Sequence, residues 1–243
     1  MKQHMISVMA IIAVLVGLIG FDAATETPWD YRTVVIDGRA TDARNAYSIE
    51  DPEKGHIGYH RARKNAPALW FRFEGGYGDR IMLRMGVPAL DEYRLLRPDI
   101  AVLGPGLPPV TEEVPFEIPE GFGGYIYHTA PLNIERYTNN YHGVVSWRFD
   151  AIEHVLDHAG RVYVVGYIPV PENPEARTDY PDGKFWMTVG DKVNFRMRDL
   201  FRIYSDTLRV RAFFEDATAP SWILRNSIMG VLFSLIAAML AVV

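Results

Sequence analysis

Two pairs of histidines and one run of aromatics and amides are the residues of this 243-residue chain whose types and spacing suit chemistry. His154 and His158 stand four apart with Glu153 and Asp157 beside them. On a helical turn both imidazoles face one side, an arrangement that can share one metal ion. The sequence fixes no third ligand, so solvated loop histidines are the alternative reading. His56 and His60 have the same spacing, but on an extended strand they stand about 13 Å apart, too far to share an ion. They are expected on the sheet surface. The run Tyr137-Thr138-Asn139-Asn140-Tyr141-His142 joins rings that stack on sugars or anchor a protein partner to amides that hydrogen-bond them. Tyr137, Asn139, Asn140, Tyr141 and His142 are the expected binding residues, in a loop between strands.

Other chemistries find less footing. The acidic clusters at 50–53 and 112–113 lack the alternating Asp/Asn and Gly spacing of a calcium loop and read as solvated charge. Ser48, Ser146 and Ser205 stand outside any Gly-x-Ser-x-Gly elbow, which leaves a hydrolase triad without an anchor. A pair of catalytic carboxylates remains open, because their separation is set in three dimensions. The chain has no cysteine, which excludes disulfides, thiolate metal sites and Cys nucleophiles. A net charge of −5 provides no basic field, so nucleic acid is not an expected partner. No motif asks for a cofactor.

These residues must be positioned by an all-β domain. Short runs rich in aromatic and β-branched residues, separated by Gly, Pro and Asp signals, predict strands near 33–37, 57–61, 68–73, 80–87, 100–103, 124–128, 144–149, 162–168 and 185–189. The expected fold is an antiparallel β-sandwich of jelly-roll or Ig-like type. Imperfect alternation in IMLRM and VYVVGY fits strands covered on one face by the opposite sheet. Residues 104–119 (GPGLPPVTEEVPFEIP) are too rich in proline for a central strand and predict a surface crossover. Short helices are expected at 91–96 and 151–157. Trp70, Phe71, Phe73, Trp147, Tyr163, Phe185 and Trp186 fall in strands and are expected to fill the core.

Both ends are apolar. Met5 to Phe21 follows Lys2 and His4 and precedes Asp22, the layout of a signal peptide or signal anchor over 1–24. Asn226 to Val243 carries no charge in 18 residues and as a helix spans about 27 Å, near the hydrocarbon thickness. A transmembrane anchor is expected over 222–243, with a buried core helix and a glycolipid-anchor signal as alternatives. The domain between, 25–191, carries 17 basic and 25 acidic residues, whereas 192–211 has a net charge of +4. With apolar residues at helical spacing, 192–221 reads either as an amphipathic stalk on anionic headgroups or as a helix packed on the domain. The absence of a glycosylation sequon and of cysteine favours a prokaryotic cell surface.

The segments GDRIMLRMGVP (78–88), DIAVLGPGLP (99–108), AGRVYVVGYIP (159–169) and GKFWMTVGDK (183–192) resemble a group of exported bacterial and archaeal proteins. These carry a β-sandwich similar to the pre-peptidase C-terminal domain, followed by a hydrophobic C-terminus. The resemblance covers roughly residues 48–211. Where the group has Glu-Pro-Phe-Thr, this chain has Glu135-Arg136-Tyr137-Thr138. The resemblance implies an extracytoplasmic sandwich acting as an accessory module and transfers no catalytic residue. The expectation is therefore a membrane-anchored binding or accessory module, its partners the lipid bilayer, other membrane or envelope proteins, or a glycan. An envelope enzyme using carboxylates or a His-bound metal is the alternative.

Overall fold

Alternation of side chains decides the architecture. In β4 (Ala68–Gly75), Leu69, Phe71 and Phe73 point to one side and Ala68, Trp70 and Arg72 to the other, as a pleated strand requires. The structure, a computed structural model, describes residues 32–36, 38–139, 142–170, 183–192, 202–215 and 217–218. The other strands are β1 (Arg32–Ile36), β2 (Tyr47–Ser48), β3 (His56–Ala62), β5 (Arg80–Pro88), β6 (Asp99–Pro105), β7 (Phe122–Tyr127), β8 (Ile134–Asn139), β9 (Val144–Phe149), β10 (Ile152–Val155), β11 (Gly160–Tyr167) and β12 (Gly183–Val189), followed by helix α1 (Ile203–Phe214).

Two sheets result. Sheet I runs β1-β3-β12-β5-β9-β8, with β10 pairing the first half of β5, and sheet II runs β2-β4-β11-β6-β7. The pairs β3·β12, β4·β11 and β5·β10 nest inside one another and alternate between sheets, as a two-stranded ribbon does when wound over itself. Pairing is antiparallel except at two edges, where β1 runs parallel to β3 and β2 parallel to β4.

Three apolar layers hold this together. Between the sheets lie Leu69, Phe71, Leu83, Met85, Val164 and Phe185 with their neighbours. On the far side of sheet II, Trp70, Leu103, Tyr163, Val165 and Tyr167 pack under the crossover through Val110, Val114, Phe116 and Ile118. On the far side of sheet I, Ile57, Tyr59 and Trp186 pack under Val210, Phe213 and Phe214 of α1. Strands β11 and β12 are therefore buried on both faces, which is why VYVV does not alternate; the expectation of a single covered face is corrected. Gly166 makes the close approach of the sheets possible, since a Cβ there would lie 2.9 Å from the Phe185 ring and 3.0 Å from the Met187 sulfur.

The crossover and the helix are each tied down by polar contacts. Gly124 N donates to Pro108 O at 2.9 Å, and a Cβ at Gly123 would lie 2.2 Å from the carbonyl oxygens of Leu107 and Pro108, so only glycine allows the crossover this near. In α1, Thr207, Val210, Phe213 and Phe214 are buried on one face, the helical spacing that lets a stripe dock on a sheet. The buried Lys184 ammonium donates to Phe213 O at 2.9 Å and pairs with Glu215, closing the helix C-terminus where positive charge is favourable.

Four sequence expectations are corrected. Residues 151–157 form no helix: Ile152–Val155 is β10, because the first half of β5 offers it a free edge, and its side chains alternate in burial with His154 inward and Val155 outward. Tyr137 to Asn139 belongs to β8 rather than to a loop. His60 is not on the sheet surface but fully buried, facing Phe185 between the sheets with Nε2 2.9 Å from Ala66 O, and His56 is buried as well. The expected helix at 91–96 is a single 3-10 turn, Asp91–Tyr93. No helix among the described residues is long and apolar enough to cross a membrane, and both terminal apolar runs lie outside the described residues.

Replacing Phe214, which is 1% exposed and edge-on to Tyr59 at 5.8 Å, tests the helix layer. Phe214→Ala should cost about 3–5 kcal/mol, read as a lower urea midpoint of the full chain.

Candidate functional site

A cleft of about 760 Å³ opens on the outer face of sheet II. Its floor is β4 and β11, where Arg72 stands opposite Tyr163 and Trp70 opposite Val165 in the antiparallel register. One wall is the turn at 41–45; the other is the crossover at Phe116, Glu117 and Glu120.

Local sequence explains each wall. Asp42 accepts from the backbone N–H of Arg44 at 2.8 Å and of Asn45 at 3.0 Å, a side-chain-closed turn that leaves Arg44 exposed. Across the cleft, Phe116 packs edge-on against Trp70 at 5.2 Å and against Tyr167 at 5.2 Å, fixing the crossover on the sheet. Trp70 is thereby buried, and its indole N–H has no acceptor among the described residues. Such a donor, removed from water and unpaired, costs about 1–3 kcal/mol. Arg161 is engaged by Glu74 at 3.1 Å, whereas Arg72 and Arg44 have no side-chain ion pair among the described residues.

The predicted binding run is placed differently. Tyr137 and Asn139 line a small pocket of about 40 Å³ on the outer face of sheet I, beside Trp186 and Phe214. There Arg148 lies 3.8 Å over the Tyr137 ring and is salt-bridged to Glu135, so the ring is already covered. Asn140 and Tyr141 lie outside the described residues. His142 is buried, with Nδ1 3.0 Å from Thr207 Oγ1 of α1, and burial pushes its pKa down to about 3. It is a neutral strut between β9 and the helix, assisted by Arg211, which donates to His142 O and Gly143 O.

His154 and His158 both lie at the mouth between the sheets. Tyr127 Oη is 2.6 Å from His154 Nδ1, and Asp157 holds His158 Nδ1 at 3.2 Å while accepting from Tyr125 at 2.8 Å. Both Nε2 atoms are buried without a hydrogen-bond partner. The His158 Nε2 edge rests on β6, where a Cβ at Gly104 would be 2.1 Å away, so this nitrogen faces backbone. Among the described residues, no three His, Asp or Glu side chains are grouped to hold a metal.

A second polar cluster escaped sequence reasoning. Buried Asp99 accepts from Thr129 N at 3.0 Å and contacts His128 Nδ1 at 2.7 Å, while His128 Nε2 lies 3.3 Å from Glu112 of the crossover. The bond to Asp99 raises the His128 pKa, and burial raises that of Asp99. The large cleft was missed as well. Its signal lay in Trp70-x-Arg72 and Arg161-x-Tyr163, pairs whose strand spacing puts both members on one face, but nothing local says that these two strands are neighbours.

No family model and no curated protein matches the chain. Among solved structures, the periplasmic PliG of Aeromonas hydrophila, an inhibitor of g-type lysozyme, aligns at 10% identity over 66% of this chain and 97% of its own, with a TM-score of 0.31. The surface-associated copper-binding protein CorA of Methylomicrobium album BG8 aligns at 11% identity over 66% of this chain and 100% of its own, with a TM-score of 0.29.

Two pH effects follow. His142 has a folded pKa below its unfolded value of about 6.5, so the unfolded chain takes the proton first. Its contribution is whole above about 6.5 and falls as pH drops toward 3; NMR of the imidazole should show it neutral across that window. His128 has the opposite sign, its folded pKa being raised. The stability difference between wild type and His128→Gln should be largest below about pH 6.5 and close as pH rises through the raised value, in urea titrations across pH.

Proposed function

We propose that the protein is an extracytoplasmic, non-catalytic binding module, carried on a membrane by its apolar ends, whose ligand surface is the cleft on sheet II. The cleft itself carries this reading. Its volume of about 760 Å³ falls within the roughly 300–1,000 Å³ of ligand sites, and its floor holds the Arg72 guanidinium, which has no side-chain ion pair among the described residues. The address rests on the signal-like layout of Met5 to Phe21. An accessory sandwich is also what the resemblance to the pre-peptidase C-terminal domain implies, and the nested strand pairing supports its jelly-roll form.

The enzyme alternative has a weaker footing in geometry. His128 is the histidine here with the strongest carboxylate partner, but its second nitrogen meets Glu112, where a hydrolase would place the hydroxyl of its nucleophile. The Asp99–His128–Glu112 chain instead fastens the crossover, and with it one wall of the cleft, to the ends of β6 and β7.

A panel of envelope glycans and peptides, immobilised and probed with the full chain in mild detergent, tests the reading. Asn65 is exposed at the cleft margin, so Asn65→Trp should fill the cleft without touching the core. At least one panel member should be retained by wild type and weakened tenfold or more by Asn65→Trp, with an unchanged circular dichroism spectrum. Retention insensitive to this substitution would remove the cleft from the function.

A further inference from the structure

Resting on the reading that the apolar ends carry the domain on a membrane, we infer that the face formed by α1 and the outer side of sheet I docks on an anionic phospholipid surface. The apolar stripe of α1 is spent on the sheet, so the helix turns Ser205, Leu208, Arg209 and Ala212 to solvent, with Arg202 exposed at its N-cap. Leu208 is 45% exposed. On this face three carboxylates are each matched by a base: Glu135 by Arg148, Glu153 by Arg80 and Glu215 by Lys184. Strand alternation places Arg61 and Arg84 on the same side. The other charged side chains here are therefore Asp206 against Arg61, Arg84, Arg202, Arg209 and Arg211, a net of +4 in a chain whose total is −5. Arg84, Arg202 and Arg209 have no ion pair among the described residues.

The course of the chain decides what this basic face meets. Ala217 O accepts from Val145 N at 2.9 Å and Thr218 pairs with Val144 at the start of β9, so the chain is pinned beside α1. The uncharged run begins eight residues later, at Asn226, a distance of at most about 28 Å. With that run in a bilayer, the face nearest the tether is held at high local concentration beside the headgroups. Each guanidinium can take two phosphate oxygens in parallel hydrogen bonds while its aliphatic stem lies along the interface, and Leu208 enters the acyl boundary. The sheet arginines add to a field that reaches about 8 Å at physiological salt. Sheet II and its cleft then open away from the bilayer. An acidic protein would meet the same charges, but the tether brings the bilayer to this face first.

The chain has no cysteine, so single labels test this. Ala212→Cys on the exposed side of α1 and Asn65→Cys at the cleft margin, each carrying a fluorophore, are compared in the full chain reconstituted into nanodiscs whose headgroups bear a spin-label quencher. In discs containing phosphatidylglycerol the α1 label should be quenched severalfold more than the cleft label. The difference should shrink in discs of phosphatidylcholine alone, and at about 1 M salt, where the screening length falls to about 3 Å. Arg202→Gln combined with Arg209→Gln should lower the ratio of docked to undocked domain tenfold or more, with an unchanged circular dichroism spectrum. Equal quenching of both labels, quenching indifferent to anionic lipid, or quenching unchanged in the double variant would each overturn the inference. Failure of the anchoring reading looks different. A chain that stays with the disc while its α1 label is unquenched overturns only the docking and leaves the face to a protein partner; a chain that does not stay with the disc removes both.

Discussion

The separation of the two sheets is the constraint on which the rest of the molecule depends. At Gly166 the backbone of β11 meets Phe185, Met187 and Met85 of the facing sheet with no room for a side chain. Sheets in this contact fill the space between them with one interdigitated layer, so every outward residue of β11 and β12 must find cover elsewhere. The crossover supplies it on one side and α1 on the other. The Pro-rich segment and the C-terminal helix are therefore structural layers rather than appendages, and the cleft exists because the crossover covers its sheet only in part.

Polar groups inside this framework fasten the outer layers to the sheets. Lys184 projects from β12 into the end of α1, His142 joins the start of β9 to the middle of the same helix, and Asp99 with His128 fixes the crossover to the ends of β6 and β7. Lys184, His142 and Asp99 are removed from water far enough that losing a partner would leave a costly orphan, whereas His128 is half exposed. The charge and protonation of these groups therefore set how firmly each cover is held. Arg72 is different in kind, because it lines the cleft with no side-chain ion pair among the described residues.

Much of the strand layout was legible in the amino-acid order. Strands such as Ala68–Gly75 and Gly183–Val189 announce themselves by β-branched and aromatic runs between turn residues. The errors came where tertiary pairing overrode local pattern. His154 and His158 fit a helical turn by spacing, but the unpaired first half of β5 draws Ile152–Val155 into a sheet. His60 looked like a surface group because a histidine in a strand usually is one, yet its partner is Ala66 O across a tight turn. The cleft was hidden for a similar reason: its groups come from four separated stretches of chain that meet only once β4 and β11 pair. The run at 137–142 attracted notice by composition, and the structure uses its described rings and amides for packing and for holding α1.

The division of labour around the cleft has an evolutionary consequence. Its floor is built from strands whose identity the fold dictates, but its walls belong to a turn and a crossover that contribute no rung to the central ladders. Insertions or exchanges at 41–45 or 117–120 would reshape the opening without shifting a single strand register. The fold thus tolerates change at these walls while the strand pairing stays as it is.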